Sequence, residues 1–242
     1  MSKLFISIQI LFLLTGKSFA DETSLNKPIK LTIIHISDTH AHLMNFDNKN
    51  GSGPLVPMYN VIQKIREQVK KEGGHVLFLH SGDINDGMPE SDLLDAKPDI
   101  DVLNIMKLDV MTVGNHEFYK PLKILEKQIK EAKFKILLAN IKYSNGKNIA
   151  DPYVIKDFDG QKFCILGLST TYVAMKMHKD MQDQLSFEDP AAVASKVIDT
   201  LPNDCFIIAL THLGINKDIE DYGDLELAKK NPNIDVILGG HT

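Results

Sequence analysis

The chain has 242 residues, of which 43% are hydrophobic and 24% are charged, and this composition excludes an intrinsically disordered protein. Its formal net charge is −5 at pH 7, and no basic stripe is interleaved with aromatic residues, so we expect no nucleic-acid partner. The length suits one domain with a sizeable core.

The first twenty residues have the parts of a secretory signal. A basic start, MSK, precedes the eleven-residue apolar run LFISIQILFLL, and Ser18 and Ala20 occupy the positions that signal peptidase reads. We predict a signal peptide over residues 1–20 and an exported, periplasmic chain over 21–242. An uncleaved anchor is the alternative, although the run is shorter than the roughly 20 residues that a membrane span needs. No later segment is a candidate span.

Seven short runs rich in Val, Ile and Leu follow the signal. They are apolar on both alternating faces, which predicts strands covered on both sides of a sheet. The runs span residues 31–37, 75–81, 109–114, 134–141, 162–168, 206–211 and 235–240. Helical patterns lie between several of them, and this alternation predicts an α/β architecture in one domain.

The predicted helices are marked by apolar spacing and by capping residues. One helical face is expected from Met58, Val61, Ile62, Ile65 and Val69. Asp99 is expected to cap a helix over residues 100–108, and Pro121 to occupy the first position of the next helix. Asp189 is expected to cap a third helix, which continues with Pro190.

Polar side chains follow five of the seven predicted strands. These residues are Asp38 and His40, Asp83, Asn115 and His116, His212, and His241. Because sites in α/β sheets form outside the carboxyl ends of strands, we expect these side chains to meet in one cleft. Asp and His ligate divalent cations, and Asn adds a neutral oxygen. A single such histidine is more often a packing residue, but the five segments together predict a site for two metal ions.

The remaining chemistry-bearing residues are interpreted more plainly. His35 and His80 lie in apolar runs and are expected to be core residues or supports of the site. Cys164 and Cys205 both lie in apolar runs, and we expect two separately buried thiols, with a disulfide as the alternative that export would permit.

The motifs DTH, GD, GNHE, TH and GH, in this order, resemble those of the calcineurin-like metallophosphoesterases. Longer stretches, SGDINDGMPESDLLDAKPD, TVGNHEF and EAKFKILLANI, resemble the branch of 5′-nucleotidases and UDP-sugar hydrolases. The resemblance extends from about Leu31 to Thr242. It implies a four-layer α/β/β/α sandwich and a hydrolase that cleaves phosphoesters of nucleotides or nucleotide sugars with water activated by two metals.

The resemblance also implies a role for each polar residue. Asp38 and His40 would bind the first metal, and Asp83 would bridge both metals. The second metal would be bound by Asn115, His212 and His241. His116 would not be a ligand but would lie over the phosphate, where it stabilises developing charge or assists the leaving group. Zinc, manganese, cobalt and magnesium all remain open, and no substrate-binding residue is assigned.

Two departures from the family pattern bear on activity. The family usually continues Gly-Asn-His-Glu-Phe with an Asp that orients the catalytic histidine, whereas this chain has Tyr119, and we expect reduced turnover. The family motif also continues Gly-His-x-His or Gly-His-x-Gln, whereas this sequence ends at Thr242. We therefore expect a catalytic domain incomplete at its C-terminus, a weaker first metal site and no substrate-binding C-terminal domain.

Two alternatives to a nucleotide hydrolase stay open. The first is a hydrolase of the same superfamily that acts on phosphodiesters or sulfur esters. The second is a truncated metal-binding fragment with little or no activity.

Overall fold

The α-helices and β-strands alternate along the chain in the computed structural model, which describes residues 28–42, 54–175, 177, 181–215 and 223–242. The predicted signal peptide, residues 1–20, lies outside the described residues. The strands are Leu31–Ile36 (β1), His75–His80 (β2), Val110–Thr112 (β3), Lys135–Leu137 (β4), Ile141–Tyr143 (β5), Tyr153–Phe158 (β6), Gln161–Ser169 (β7), Leu185–Phe187 (β8), Cys205–His212 (β9) and Val236–Leu238 (β10). The α-helices are Leu55–Lys71 (α1), Pro89–Leu93 (α2), Lys97–Ile105 (α3), Leu122–Glu131 (α4), Pro190–Ile198 (α5) and Asp224–Lys230 (α6).

Two four-stranded sheets carry the fold. The first has the order β1-β2-β3-β4 with every neighbouring pair parallel. The second has the order β10-β9-β7-β6, in which only the edge strand β6 is antiparallel to its neighbour. Parallel neighbours need crossover connections, and helices supply them between consecutive strands of both sheets. The short antiparallel pair of β5 and β8 stands apart from both sheets.

Three apolar interfaces separate four layers. Helices α1, α3 and α4 cover one face of the first sheet, where Phe78 of β2 is fully buried. Leu77 and Leu79, which point to the opposite face of β2, pack with Ile165 of β7 between the two sheets. Helices α5 and α6 cover the outer face of the second sheet, against Leu166. The predicted α/β/β/α sandwich is therefore confirmed.

The structure corrects several local predictions. The run 134–141 contains β4 and then the first residue of β5, so it is not one strand. Asp99 does not cap its helix, because α3 begins at Lys97 and places Asp99 in its first turn. Pro121 precedes the first residue of α4, and Val61 is exposed on α1. Asp189 caps α5 as predicted, since its carboxylate accepts from the backbone N–H of Ala192 at 2.6 Å.

The prediction of two separate thiols is wrong, because Cys164 and Cys205 form a disulfide. The two residues lie on the neighbouring strands β7 and β9, where Cys164 pairs with Ile207 and Cys205 pairs with Lys162. This register brings the two Cα atoms to 5.9 Å, within the usual range for a disulfide. Within the described residues, no helix is both long and apolar enough to cross a bilayer.

Candidate metal centre

The polar residues predicted from the sequence lie where the carboxyl ends of both sheets meet. Asp38 and His40 follow β1, Asp83 follows β2, and Asn115 follows β3, all from the first sheet. The second sheet contributes two more histidines, one at the end of β9 and one after β10, namely His212 and His241. The structure therefore brings the predicted residues to one edge of the fold.

Asp83 is the centre of this cluster and is almost fully buried. Its Oδ2 lies 3.0 Å from His212 Nε2 and 3.8 Å from His40 Nε2. Among the described residues, Asp83 belongs to two groups of three residues, one with His40 and His116 and one with His212 and His241. Within each group, the ligand atoms lie within 4.8 Å of one another. Asp83 is therefore common to two groups of side chains, each of which could hold a cation.

Backbone carbonyls fix the tautomers of two of these histidines. His212 Nδ1 lies 2.6 Å from the carbonyl oxygen of Ser81, and His40 Nδ1 lies 3.2 Å from those of Asn85 and Asp86. A carbonyl oxygen can only accept, so each Nδ1 must carry the hydrogen and donate it. Each Nε2 is then left with a lone pair that faces Asp83, the arrangement that metal-ligating histidines adopt.

The surroundings of His212 Nε2 fit a cation. Besides Asp83, the Asn115 Oδ1 lies 3.1 Å from this nitrogen, so two oxygens and one nitrogen converge on one point. In a neutral ring with Nδ1 protonated, all three atoms present lone pairs to one another. Only a positive charge, a proton or a metal ion, makes this convergence favourable.

Asp38 and His241 meet across the cleft. The backbone N–H of His241 donates to both carboxylate oxygens of Asp38, at 3.2 and 3.1 Å. The His241 ring lies edge-on to that of His212, with 5.0 Å between the ring centres. These contacts tie the loop after β10 to the loop after β1, and so join the two sheets at the site.

His116 stands at the open side of the cluster, with about a quarter of its side chain exposed. Its Nε2 lies 3.9 Å from Asp83 Oδ2, and its Nδ1 lies 3.2 Å from Asp86 Oδ2. Tyr119 lies beside the ring, with 4.4 Å between the ring centres, but its hydroxyl accepts from Asn115 Nδ2 at 3.0 Å. The carboxylate beside His116 Nδ1 therefore comes from Asp86, a residue for which no sequence pattern indicated a role.

Glu117 is a second residue whose role no sequence pattern indicated. Its buried carboxylate accepts four backbone N–H groups at 2.7–3.1 Å, from Asp83, Ile84, Asn85 and Gly114. Glu117 thereby holds the loop after β2 against the loop after β3. The sequence feature that could have indicated this role is an acidic residue directly before the apolar Phe118. A carboxylate in such a buried position needs several hydrogen bonds.

The backbone of the site is strained. Several of its non-glycine residues have positive φ values, a conformation that side chains rarely adopt. They are Asp38 (52°), His40 (43°), Asp83 (58°), Asp86 (59°) and His241 (83°). Such strain persists only where the surrounding structure enforces it, and it is concentrated at functional sites.

Close backbone contact explains two glycines beside Asp83. Gly82 has a φ of 89°, and a Cβ there would lie 2.5 Å from the backbone nitrogen of Gly114. A Cβ on Gly114 would in turn meet the carboxylate and backbone nitrogen of Asp83. Both positions need glycine, because the loops after β2 and β3 touch through their main chains.

The titration of the cluster reflects its crowded charges. Burial opposes ionisation of Asp83, but hydrogen bonds and charge from His212 and His116 lower its pKa to about 2. Burial likewise opposes protonation of His212, yet Asp83 and Asp38 raise its pKa to about 9. For His116, burial is outweighed by Asp86 and Asp83, which raise its pKa. The carboxylates thus create a strongly negative site that holds protons or other cations.

Two further histidines, His80 and His35, have lowered pKa values, unlike His212 and His116. His80 is fully buried, accepts from the Gly82 N–H at 3.0 Å and contacts Thr39 Oγ1 at 3.2 Å, and burial lowers its pKa to about 3. Burial also lowers the pKa of His35 to about 4, and His35 Nε2 lies 2.7 Å from Ser81 Oγ. Both rings are therefore neutral supports of the loops that carry the site.

A cavity of about 550 Å³ opens elsewhere, at the opposite ends of β3 and β4. Its lining includes Asp109, Lys135, Asp151 and Lys156. Because Asn115 and His116 follow the other end of β3, this cavity is not part of the cluster.

Known proteins resemble this chain in sequence. The family model of calcineurin-like phosphoesterases matches residues 31–242. The chain is 37% identical over 246 residues to the protein UshA of Escherichia coli, and the aligned region covers 96% of this chain and 44% of UshA. It is 36% identical over 233 residues to a 5′-nucleotidase of Vibrio parahaemolyticus, and the aligned region covers 92% of this chain and 41% of the relative.

Solved structures have the same fold. The calcineurin-like phosphoesterase YfkN of Bacillus subtilis superposes with a TM-score of 0.70 at 31% identity, over 87% of this chain and 71% of that one. The 5′-nucleotidase precursor of Thermus thermophilus superposes with a TM-score of 0.70 at 27% identity, over 87% of this chain and 41% of that one. The chain spans less than half the length of the curated relatives it matches. On the family match and these identities, the chain belongs to the calcineurin-like phosphoesterase family.

Proposed function

We propose that this chain is the catalytic part of a metal-dependent hydrolase that cleaves phosphoesters of nucleotides or nucleotide sugars. The observation that carries the proposal is the position of Asp83, whose carboxylate Oδ2 lies 3.8 Å from His40 Nε2 and 3.0 Å from His212 Nε2. Family membership supports the same reading, because metallophosphoesterases use divalent cations.

We assign the metal ligands as the family resemblance implies. Asp38 and His40 belong to the first ion, Asp83 to both ions, and the second ion takes the three residues Asn115, His212 and His241. The mixed oxygen and imidazole donors suit zinc, manganese, cobalt and magnesium, so the donor set alone selects no metal. When bound, the two cations supply a water of lowered pKa and neutralise the charge of the phosphoryl oxygens.

His116 also lies close enough to His40 and Asp83 to share a cation with them, since their ligand atoms are within 4.8 Å of one another. We assign His116 to the phosphate instead, as the resemblance implies and as its exposed position on the cleft permits. Burial opposes protonation of His116, but Asp86 and Asp83 raise its pKa above that of a free imidazole and so favour the protonated ring. A proton on Nε2 would stabilise charge on the phosphoryl oxygens or pass to the leaving group.

The substrate class is supported by the relatives. Several relatives at 36–38% identity are named 5′-nucleotidase or UshA. The parts of those proteins that this chain does not cover make up more than half of their length. The nucleotide and nucleotide-sugar substrates are therefore proposed for this chain on the likeness of its catalytic domain.

Hydrolysis assays with purified, metal-loaded chain test the proposal. AMP, UDP-glucose, bis(p-nitrophenyl) phosphate and S-sulfocysteine, an organic thiosulfate ester, would be compared, with Asp83→Asn as the inactive control. We expect release of phosphate from AMP, or of UMP and glucose 1-phosphate from UDP-glucose, that is abolished by chelation and by Asp83→Asn. Turnover of only the phosphodiester or of S-sulfocysteine would support another hydrolase of the superfamily. Two bound ions without any turnover would support a metal-binding fragment.

We also propose that the chain is exported through a signal over residues 1–20. The apolar run and the Ser18 and Ala20 positions support this proposal. N-terminal sequencing of the chain from a periplasmic extract should begin at Asp21, whereas an intact Met1 would contradict cleavage.

A further inference from the structure

Asp86 contacts two histidines of the metal centre at once. Its carboxylate Oδ2 lies 3.2 Å from His116 Nδ1, and its backbone carbonyl oxygen lies 3.2 Å from His40 Nδ1. The residue has a φ of 59°, so its main chain is bent into the left-handed region at the point where both contacts are made. Asp tolerates this conformation better than most residues, because its short side chain bonds locally.

Tyr119, unlike Asp86, is not placed to accept a hydrogen bond from His116 Nδ1. Its hydroxyl is engaged by Asn115 Nδ2 at 3.0 Å, and its ring lies against the face of His116 at an interplanar angle of 47°. The phenol therefore packs on the imidazole and leaves Nδ1 to Asp86.

The contact with Asp86 decides which nitrogen of His116 faces the reaction. An ionised carboxylate only accepts, so His116 Nδ1 carries a hydrogen and donates it. The other nitrogen, Nε2, then points towards Asp83 Oδ2, 3.9 Å away, where a substrate phosphate would bind. This is the arrangement in which Nε2 can hold or release a proton at the cleft.

We propose that Asp86 is the positioning residue for His116, fixing its tautomer and orientation through Nδ1 while its carbonyl orients His40. The catalytic consequence rests on the proposed hydrolase function, but the positioning itself does not. A side chain that only filled space here would affect stability, whereas a positioning residue affects the imidazole and the turnover number.

The first test is spectroscopic and needs neither metal nor substrate. Metal-free chain labelled with ¹⁵N in its histidines would be recorded at pH 8, with His116 assigned by the signal lost in His116→Asn. Wild type should show His116 with hydrogen on Nδ1. Asp86→Asn keeps the size of the side chain and its tolerance of positive φ, but should yield a mixture of tautomers. An unchanged tautomer in Asp86→Asn would overturn the inference whatever the activity.

The second test is kinetic and uses metal-loaded chain. Asp86→Asn should lower kcat by about 10–100-fold, the range seen when outer partners of site histidines are removed. KM, metal content and melting temperature should stay close to wild type, and Asp101→Asn on the exposed face of α3 is the matched control. A changed tautomer with an unchanged kcat would overturn the catalytic consequence.

Tyr119→Asp in the wild-type background completes the test. Because Asp86 already occupies Nδ1, we expect no gain in kcat from Tyr119→Asp, and the loss of the hydroxyl that accepts from Asn115 Nδ2 would lower kcat rather than raise it. A rise of tenfold or more would mean that His116 lacks an effective carboxylate partner and would overturn the inference. If wild type hydrolyses nothing, the proposed function fails while the spectroscopic test still decides the role of Asp86.

Discussion

His212 Nε2 and Asp83 Oδ2 lie 3.0 Å apart in the buried centre of the site. Each residue stabilises the charged form of the other, so the pKa of His212 is raised and that of Asp83 is lowered. Without metal, this pair is stabilised by a proton on His212, whose pKa is raised to about 9. A histidine with a raised pKa stabilises the fold fully below its unfolded pKa of about 6.5, and the stabilisation is lost as the pH rises through the folded value.

We therefore predict that metal-free chain becomes less stable between about pH 6.5 and 9, with a contribution of roughly 3 kcal/mol from His212. Urea unfolding in the presence of a chelator, at several pH values, measures it. His212→Gln should remove this part of the pH dependence, since glutamine does not titrate. Equal slopes for wild type and His212→Gln would contradict the prediction.

Glu117 should be the main structural support of the ligand loops. Glu117→Gln replaces one acceptor oxygen by an NH₂ group that faces backbone N–H groups, so we expect a loss of about 2–4 kcal/mol in the free energy of unfolding. Glu67→Gln, on the exposed face of α1, provides the control and should change stability by less than about 0.5 kcal/mol. Equal effects of the two substitutions would refute the supporting role.

Gly82 and Gly160 form a matched pair for testing the contact between the loops. Their φ values are 89° and 88°, so an added Cβ costs both the same backbone strain. A Cβ on Gly160 meets nothing within 4 Å, whereas one on Gly82 lies 2.5 Å from Gly114 N. Gly160→Ala should therefore cost about 1–2 kcal/mol, and Gly82→Ala should cost more and also weaken metal binding. Calorimetric metal titration of both variants distinguishes these outcomes.

The disulfide between Cys164 and Cys205 should stabilise the second sheet. Replacing both cysteines by alanine should lower the free energy of unfolding by about 2–4 kcal/mol, because the bond restricts the unfolded chain. Urea unfolding with and without reductant measures the effect, and reductant should leave the double variant unchanged. Titration of two free thiols in the native, unreduced chain would contradict the pairing.

The apolar runs predicted an α/β architecture because the buried strands are continuously apolar, whereas the four-layer sandwich followed from the resemblance to a known family. The edge strand β6 was not predicted, because YVIKDF alternates partly buried and exposed residues. The strand β8 was not predicted either, because it is only three residues long. The disulfide was only the alternative prediction, because it depends on the register of β7 and β9, which no local sequence pattern encodes.

The polar residues at the strand ends could be recognised because they interrupt apolar runs. The roles of Glu117 and Asp86 could not, because they arise from contacts between loops that are distant in the chain. The expectation of reduced turnover rested on Tyr119 alone. It stays untested, but the carboxylate of Asp86 beside His116 removes its main reason.

Asp83 is proposed to bridge two cations, and metal stoichiometry tests this role most directly. Chain dialysed against excess zinc or manganese would be analysed for metal content beside Asp83→Asn, His116→Asn and the exposed control Asp199→Asn. We predict about two ions for wild type, His116→Asn and Asp199→Asn, and fewer than one for Asp83→Asn, because its loss weakens both positions. A folded wild type with fewer than one ion, or Asp83→Asn with two, would contradict the account.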